Sequence, residues 1–352
     1  MTKPRSGRGV GWSSVIEDDA LQEWAGTRRW VEGVLAPGER ITRVRALQGG
    51  WTSQMRRLDI EPSDDGDDGD GDDGRGSDDG SGGGGYTLVL RSFVKPFYRR
   101  HAPAMLEREA GVLRLLEAGA IPAPRLRAVD ATGAHCDDPS LVMTHLPGSV
   151  RVHEDADVAR RTTLLAGQLA TLHTLEVPEQ ERPRPWQAWT SPERVQVPAA
   201  TERAGLWKRA VELIDREAPA HHACFLHRDF HPGNVLFTGH GPQLAISGVV
   251  DWVETSWGPS DLDVAHCSTT LALLHGAPAG LALADAYEQA GGTLTADGRD
   301  HLYWRLLDAL AFAPDAEKVA VPWRELGRTD LSAPVLAGRL EDYLQALFDR
   351  YA

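Results

Sequence analysis

The chain has 352 residues, which is enough for two separate hydrophobic cores, because a single core stops growing at roughly 250–300 residues. Hydrophobic residues make up 41% of the chain and charged residues 25%, as in ordinary globular proteins, and no apolar run approaches the ~20 residues that a membrane helix needs. The formal net charge of −14 argues against nucleic acid as a partner.

The three cysteines and the N-terminus indicate where the protein is found. Cys136, Cys224 and Cys267 are odd in number, lie far apart and lack CxxC spacing, which is typical of buried thiols in a reducing compartment. The N-terminal residues MTKPRSGRGVGW are basic, but they are followed by no apolar segment of the kind found in secretory signals. We therefore expect a cytoplasmic protein without membrane association, and we expect it to be a monomer.

The first part of the chain predicts a small antiparallel sheet around one main helix. Residues 18–35 and 104–118 have the spacing of amphipathic helices, and Gly119 is a natural stop for the second of them. Runs of alternating or β-branched residues between turn signals indicate strands. These strands are predicted at residues 41–47, 54–60, 86–93 and 140–146.

An acidic segment separates the second and third predicted strands. Residues 63–85 contain nine Asp and one Arg, so they carry −8 of the net charge of −14. A segment of Asp, Gly and Ser cannot bury enough apolar surface to fold, and we predict that it is disordered. We interpret it as a tolerated loop expansion, because long surface insertions cost little. The alternative is an electrostatic lure for cationic substrates.

Helical patterns dominate the rest of the chain. Leucines recur at helical spacing in residues 158–175. Similar patterns occur at residues 204–216, 263–275, 281–290, 300–312 and 337–350. The sequence therefore predicts an α+β fold with two domains. Residues 1–146 form the smaller domain on the antiparallel sheet, and residues 147–352 form a larger, mainly helical one.

The strongest motif is HRDFHPGNVLF, which spans residues 227–237. Asp229 and Asn234 lie five residues apart across Pro232-Gly233, a pair that forces a tight loop. A short strand, a turn and a return strand are predicted to follow, and such a hairpin would bring Asp251 back beside Asn234. Phosphoryl transfer needs a carboxylate at the acceptor hydroxyl and oxygen ligands for Mg²⁺, and these residue types can supply both.

HRDFHPGNVLF followed by VVDW resembles the aminoglycoside phosphotransferase family, whose members are related to the protein kinases. GPSDLDVA, residues 258–265, is similar to a further stretch of that family, although its proline is displaced. The resemblance implies a protein-kinase-like two-lobe fold and transfer of the γ-phosphoryl group of ATP or GTP to a hydroxyl of a small molecule. It implies catalytic roles for Asp229, as the base, and His227. It also implies Asn234 and Asp251 as Mg²⁺ ligands, and Asp263 as a structural carboxylate that braces the loop.

The resemblance extends more weakly over the first domain. GGWTS, residues 49–53, resembles a phosphate-facing turn, and the strand TLVLRSF supplies an arginine where kinase-like enzymes use a lysine. A glutamate on the following helix would pair with that arginine, and the backbone of the strand at residues 140–146 would contact the purine. The implied nucleotide-binding residues are Gly49, Gly50, Thr52, Ser53, Arg91, Glu109, Met143 and His145.

Three other interpretations stay open. Asp229 and Asn234 are also common turn residues. His227, Asp229 and His231 alternate as ligands would on one face of a strand, which favours a metal hydrolase. Arg91 in place of a lysine favours a nucleotide-binding regulatory module that has lost turnover.

The sequence determines the acceptor least. Acidic and aromatic side chains after the catalytic loop and in the C-terminal helices are the candidates for binding it: Glu254, Trp257, Asp308, Asp315 and Glu317. Acidic groups there would suit a polycationic aminoglycoside, which is the acceptor we predict. Relatives in this family also phosphorylate macrolides, homoserine, choline and sugars, so a kinase of a small metabolite is the alternative.

Deletion of Asp64 to Ser81 is expected to leave activity nearly unchanged at physiological salt, because a disordered loop contributes no packing to either domain. Steady-state kinetics of the shortened and full-length chains at ~0.15 M salt would measure the effect. A large rise in KM for a cationic acceptor, with no rise for an uncharged one, would instead support the electrostatic lure.

Overall fold

The computed structural model describes residues 24–47, 52–62, 85–152 and 156–352. The chain forms two compact units, each with its own hydrophobic core. The first consists of the described residues within Met1–Ala110 together with Arg125–His145, and the second of Gly111–Pro124 and Leu146–Ala352. Among the helices in these ranges, none combines the length and the apolar character that crossing a bilayer requires.

The first unit is built on a five-stranded antiparallel sheet. Its strands are β1 Glu39–Leu47, β2 Gln54–Pro62, β3 Tyr86–Ser92, β4 Leu126–Asp130 and β5 Ser140–Thr144. They lie in the order β1-β2-β3-β5-β4. Helix α1, Ala25–Glu32, and helix α2, Pro96–Leu116, the latter as far as Ala110, accompany them. Side chains alternate across a strand, so β2 and β3 each direct every second residue into the core. That core contains Trp24, Val31, Leu58, Ile60, Leu88 and Leu90.

The predicted strands and helices of this unit differ from the structure at their ends. The four predicted strands lie within two residues of β1, β2, β3 and β5, whereas β4 was not predicted. Helix α2 starts at Pro96, eight residues before the predicted start, and includes Pro103. Pro103 occurs in the second turn, where a missing N–H removes only one early hydrogen bond. Residues 18–23 of the first predicted helix, 49–51 of the predicted turn and 63–84 of the acidic segment lie outside the described residues.

The second unit is mainly helical. Its helices are α3 Val158–His173, α4 Ala204–Ile214, α5 Ser260–His275, α6 Ala277–Gln289, α7 Gly298–Ala309, α8 Glu317–Glu325 and α9 Ala333–Tyr351. Two small antiparallel sheets complete it: β6 Ala223–Leu226 with β9 Ser256–Pro259, and β7 Val235–Thr238 with β8 Ala245–Val249. Helix α5 is the centre of this unit, because almost every residue along it is buried and it packs on α6, α7 and α9. The architecture is α+β, as predicted.

Candidate active site

The loop between β6 and β7 carries the motif that the sequence predicts to be catalytic. Residues 227–234 connect two different small sheets, because β6 pairs with β9 and β7 pairs with β8. The Asp229 side chain is 31% exposed, whereas His227 is fully buried. The loop therefore presents the Asp229 carboxylate at the surface of the second unit.

Asp263, in the first turn of α5, holds the start of this loop. Its Oδ2 accepts the His227 N–H at 2.8 Å, and its Oδ1 accepts the Arg228 N–H at 2.7 Å. His173 on α3 lies 3.3 Å from Oδ2. Arg228 has a φ of 71°, a left-handed conformation that a non-glycine residue adopts only with support from its surroundings. The two hydrogen bonds to Asp263 supply that support and orient the backbone that leads into Asp229.

Asn234 holds one side of the Asp229 carboxylate. Its Nδ2 donates to the Asp229 carbonyl and to Asp229 Oδ2, each at 2.9 Å. Because both amide protons face Asp229, the Oδ1 of Asn234 is the atom of this amide that can accept a metal or a donor. Gly233 makes the turn possible, since a Cβ there would lie 2.7 Å from the imidazole carbon Cε1 of His231.

The β7–β8 hairpin brings Asp251 back towards Asn234. Val235 pairs with Val249, and the Val250 N–H donates to the Asn234 carbonyl at 3.0 Å. Asp251 follows with a φ of 67°, a conformation that Asp tolerates better than most residues. An amide oxygen and a carboxylate are hard oxygen donors, so this pair fits Mg²⁺ better than a softer metal.

Two histidines face the other side of Asp229. The Nε2 of His266, on α5, lies 3.2 Å from Asp229 Oδ1, and the Nε2 of His231 lies 3.7 Å from the same oxygen. Burial alone would raise the pKa of Asp229, but the charge of His231 and the hydrogen bond and charge of His266 hold it below its usual range. Asp229 is therefore an ionised carboxylate.

Sequence reasoning did not identify His266. Its signal in the sequence is its position three residues after Asp263, which places both side chains on one face of α5 and towards the same loop. The Nδ1 of His266 lies 3.0 Å from Oδ1 of Asp308 on α7. The sequence suggests Asp308 as an acceptor ligand, but Asp308 is only 4% exposed and its carboxylate contacts His266 instead.

His227 braces the loop from inside. Its Nε2 donates to the Val250 carbonyl at 3.1 Å, and its ring centroid lies 4.4 Å from that of Trp252. Because His227 is fully buried, we assign it to bracing the loop and not to contact with an acceptor. The ligand-type atoms that come within 4.8 Å of one another at this loop, among the residues that the structure describes, belong to Asp229, His231 and His266 and not to His227, which the metal-hydrolase interpretation required.

Arg91 in the first unit joins the end of the GGWTS segment to α2. Its Nε donates to Ser53 Oγ at 3.0 Å, its Nη1 donates to both Glu109 carboxylate oxygens at 2.9 and 3.2 Å, and its Nη2 lies 3.4 Å from Thr52 Oγ1. Arg91 is 3% exposed and Glu109 is 1% exposed, so Glu109 is a buried partner and not a solvated carboxylate. Gly49 and Gly50 lie outside the described residues.

The strand predicted to contact the purine is paired on both sides. Met143 is buried in β5 between β3 and β4. The Thr144 N–H donates to the Arg125 carbonyl at 2.9 Å, and the His145 N–H donates to the Thr87 carbonyl at 3.1 Å. A purine here would therefore need donors other than these two N–H groups.

Substituting Arg91→Lys is expected to destabilise the protein by about 1–2 kcal/mol, because a lysine lacks the planar fork with which the guanidinium reaches Ser53 through Nε and Glu109 through Nη1. Urea unfolding would measure the change. The matched control is Arg114→Lys, a change of the same type in the last turn of α2. Equal stability of the Arg91→Lys variant and the unchanged chain would show that the contacts of Arg91 with Ser53 and Glu109 contribute nothing to the free energy of unfolding.

The acidic residues considered for acceptor binding have partners within the second unit. Glu254 accepts a hydrogen bond from Arg184 at 2.6 Å, and Glu317 pairs with Arg324. Asp308 is buried, as described above. These side chains therefore offer a polycation less uncompensated negative charge than the sequence suggested.

Comparison with known proteins gives one sequence match and many structural ones. The chain matches the profile of the phosphotransferase enzyme family over residues 77–307, a range that includes Asp229, Asn234, Asp251 and Asp263. No curated protein sequence matches it.

Solved structures with a similar fold include several phosphotransferases. A candidate aminoglycoside phosphotransferase from Ralstonia eutropha JMP134 has a TM-score of 0.56 at 16% identity, with 91% of this chain and 98% of that chain covered. A macrolide 2'-phosphotransferase type I has a TM-score of 0.52 at 18% identity, with 93% of this chain and 98% of that chain covered. A thermostable variant of aminoglycoside phosphotransferase APH(4)-Ia, in ternary complex with AMP-PNP and hygromycin B, has a TM-score of 0.53 at 14% identity. The match covers 92% of this chain and 98% of that chain. At these identities the similarity concerns the fold, and it confirms the predicted α+β, protein-kinase-like class.

Proposed function

The chain belongs to the phosphotransferase enzyme family, and we propose on this basis that it transfers the γ-phosphoryl group of ATP or GTP to a hydroxyl of a small molecule. The observation that carries the proposal is the setting of Asp229. Its carboxylate is accessible, is bonded by Asn234, and stands on a loop whose backbone is bonded by Asp263. A carboxylate fixed in this way can orient an acceptor hydroxyl.

The mechanism we propose depends on position more than on base strength. Asp229 accepts the hydrogen bond of the acceptor hydroxyl and takes its proton as the bond between that oxygen and the γ-phosphorus forms. The bond from the γ-phosphorus to the β–γ bridging oxygen breaks, and the nucleoside diphosphate leaves. A loose transition state requires alignment and charge neutralisation from the protein, so a carboxylate with a lowered pKa is sufficient. Asn234 and Asp251 would hold Mg²⁺, which when bound neutralises charge on the phosphates.

We propose that the first unit supplies the nucleotide contacts. Thr52 and Ser53, which Arg91 bonds, offer hydroxyl and backbone donors to phosphate oxygens. Glu109 keeps the arginine in place. The purine would lie against β5 near Met143 and His145. The AMP-PNP in the complex of a structural neighbour favours an adenine nucleotide, with GTP as the alternative.

We propose an aminoglycoside or a related antibiotic as the acceptor. Aminoglycoside and macrolide phosphotransferases among the structural neighbours support this choice. A small metabolite of the homoserine, choline or sugar type is the second candidate, and the internal partners of Glu254 and Glu317 favour it.

A phosphoryl-transfer screen tests the proposal. The purified chain would be incubated with Mg²⁺ and either ATP or GTP against aminoglycosides, macrolides, homoserine, choline and sugars, with phosphorylated products detected by mass spectrometry. Product that appears with the unchanged chain and not with an Asp229→Asn variant supports the proposal. Nucleotide binding without transfer to any acceptor, and without slow hydrolysis above that of the variant, would support the regulatory module instead.

A further inference from the structure

The Asp229 carboxylate contacts a second, buried carboxylate, Asp308, through a histidine. His266 lies between two carboxylates, with its Nε2 3.2 Å from Asp229 Oδ1 and its Nδ1 3.0 Å from Asp308 Oδ1. His266 and Asp308 are each 4% exposed, and they stand on the neighbouring helices α5 and α7. The contacts therefore run from the accessible carboxylate into the interior of the second unit.

We propose that His266, backed by Asp308, is the positioning residue of Asp229, holding Oδ1 of the carboxylate while Asn234 holds Oδ2. The inference rests on the proposed role of Asp229. A carboxylate bonded at both oxygens cannot turn about its Cβ–Cγ bond, so its remaining lone pairs point in fixed directions. Alignment of this kind is a large part of what an enzyme contributes to phosphoryl transfer.

The ring of His266 is itself fixed by aromatic neighbours. Its centroid lies 4.9 Å from that of Trp189 in an edge contact and 5.7 Å from that of Phe312 in a stacked one. The guanidinium of Arg228 covers the Trp189 ring at 4.4 Å. Contacts on the edge and on the face of the imidazole leave it a single orientation, which is what a positioning residue requires.

The two carboxylates define the protonation of His266. A nitrogen that bonds a carboxylate must carry a proton, and both ring nitrogens of His266 face carboxylate oxygens. Burial disfavours the charged ring, but Asp308 and Asp229 outweigh it and raise the pKa of His266 to about 9. Among the described residues, the charged or titratable groups around this site include Asp229, His231, His227, Asp308, Arg228 and Lys318.

The same geometry argues against a metal ion bound by these side chains. Ligand-type atoms of Asp229, His231 and His266 lie within 4.8 Å of one another. Burial lowers the pKa of His231 to about 4, so its ring is charged only in acid and is neutral near neutral pH. Because the Gly233 N–H donates to His231 Nδ1 at 3.0 Å, the neutral ring carries its proton on Nε2, the atom that faces Asp229. A metal at these atoms would have to displace the Nε2 proton of both imidazoles, including that of His266, whose pKa its two carboxylate partners raise to about 9.

The substitution His266→Gln tests the positioning role, with His301→Gln as the matched control. His301 is also buried, and it faces Asp261 across the same two helices, with its Nδ1 3.7 Å from Asp261 Oδ1, but it does not contact Asp229. We expect His266→Gln to lower kcat by about 10²-fold with the KM for nucleotide within about twofold, and His301→Gln to keep kcat within about threefold. Equal losses of kcat in the two variants would overturn the proposal, since they would indicate a packing effect.

The pH dependence of Asp308→Asn supplies a readout that packing alone does not move. The charged ring of His266 is present below its pKa and lost above it, so kcat of the unchanged chain should fall only as pH rises through about 9. Without the charge of Asp308, that fall should begin at least about one pH unit lower. An unshifted alkaline limb would contradict the role of Asp308.

Nitrogen NMR of the histidine side chains separates this inference from the proposed function. We expect both nitrogens of His266 to be protonated near neutral pH in the unchanged chain, whether or not an acceptor is phosphorylated. Absence of all turnover with this NMR result would refute the proposed function and leave the Asp229–His266–Asp308 contacts intact. A neutral ring near neutral pH, or tight Zn²⁺ binding that requires His231 and His266, would overturn the inference.

Discussion

Asp229→Asn is expected to lower turnover by at least about 10³-fold while nucleotide affinity stays within about twofold. Both carboxylate oxygens of Asp229 accept from protein donors, Oδ2 from Asn234 and Oδ1 from His266. In an asparagine one of these oxygens becomes an NH₂ group, which then faces a donor in either orientation of the amide. The variant loses the proton acceptor and also the fixed direction of the side chain, so kcat should carry the loss.

Two measurements on the same preparation would establish this result. Steady-state phosphoryl transfer would report kcat, and calorimetric titration with the nucleotide and Mg²⁺ would report affinity. Asp349→Asn is a matched control, because Asp349 is an exposed carboxylate on α9 that bonds only Gln345 among the contacts described. Unchanged turnover in Asp229→Asn would remove Asp229 from the mechanism, although the fold and the family would stand.

The long elements of the fold were predictable because periodicity is a local property. Helices α3, α4 and α9 carry apolar residues at helical spacing, and β1, β2, β3 and β5 are runs of alternating or β-branched residues, so each of these elements can be recognised within its own sequence. The strands β4, β6 and β9 have four or five residues each, and β6 pairs with β9 across the catalytic loop and the β7–β8 hairpin. The sequence of so short a segment does not distinguish a strand from a loop, because pairing with the partner strand determines whether the segment becomes a strand.

The same distinction applies to the candidate site: contacts within one loop and hairpin were predictable, and contacts made by helix packing were not. The spacing of Asp229, Asn234 and Asp251 followed from one loop and one hairpin, and the structure brings Asn234 and Val250 together as that hairpin requires. The contacts of His266 with Asp308 depend on how α5 packs against α7, which no local pattern encodes.

Helix α5 links the fold to the chemistry we propose. Asp263 and His266 lie one turn apart on it, and the first bonds the backbone of the catalytic loop while the second contacts the carboxylate of that loop. The helix is buried on nearly every side, so its own position is fixed by the core. Functional groups carried by a packed helix are held more closely than groups carried by loops alone. Packing of α5 should therefore matter to kcat as well as to stability.

Asp263→Asn is the substitution that tests this coupling, and it is expected to destabilise the protein by about 2–4 kcal/mol and to lower kcat severely. The Asp263 carboxylate accepts two backbone N–H groups, from His227 and Arg228, at 2.8 and 2.7 Å, and also faces His173. An asparagine offers one acceptor oxygen, so one buried N–H would face an NH₂ group. Arg228 would then lose part of the support for its left-handed backbone.

The stability lost in Asp263→Asn should depend on pH, because the contribution of Asp263 requires its carboxylate to be ionised. Burial alone would raise the pKa of Asp263, but the hydrogen bond and charge of His173 hold it below its ordinary value of 3.8. A carboxyl group with a lowered pKa stabilises the folded state fully above that ordinary value, and its contribution is lost as pH falls through the folded pKa. Urea unfolding should therefore show the largest difference between Asp263→Asn and the unchanged chain near neutral pH, with the difference narrowing in acid.

Asp261→Asn is the control, because Asp261 is a buried carboxylate two residues away on the same helix whose pKa is raised by burial. A neutral amide replaces such a group at lower cost, since burial already disfavours its charge. The expected order of destabilisation is therefore Asp263→Asn well above Asp261→Asn, and only the former should affect kcat strongly. If the two variants lost similar amounts of stability and kcat, the effect would come from placing any amide at the start of α5. Asp263 would then have no specific role in holding the catalytic loop.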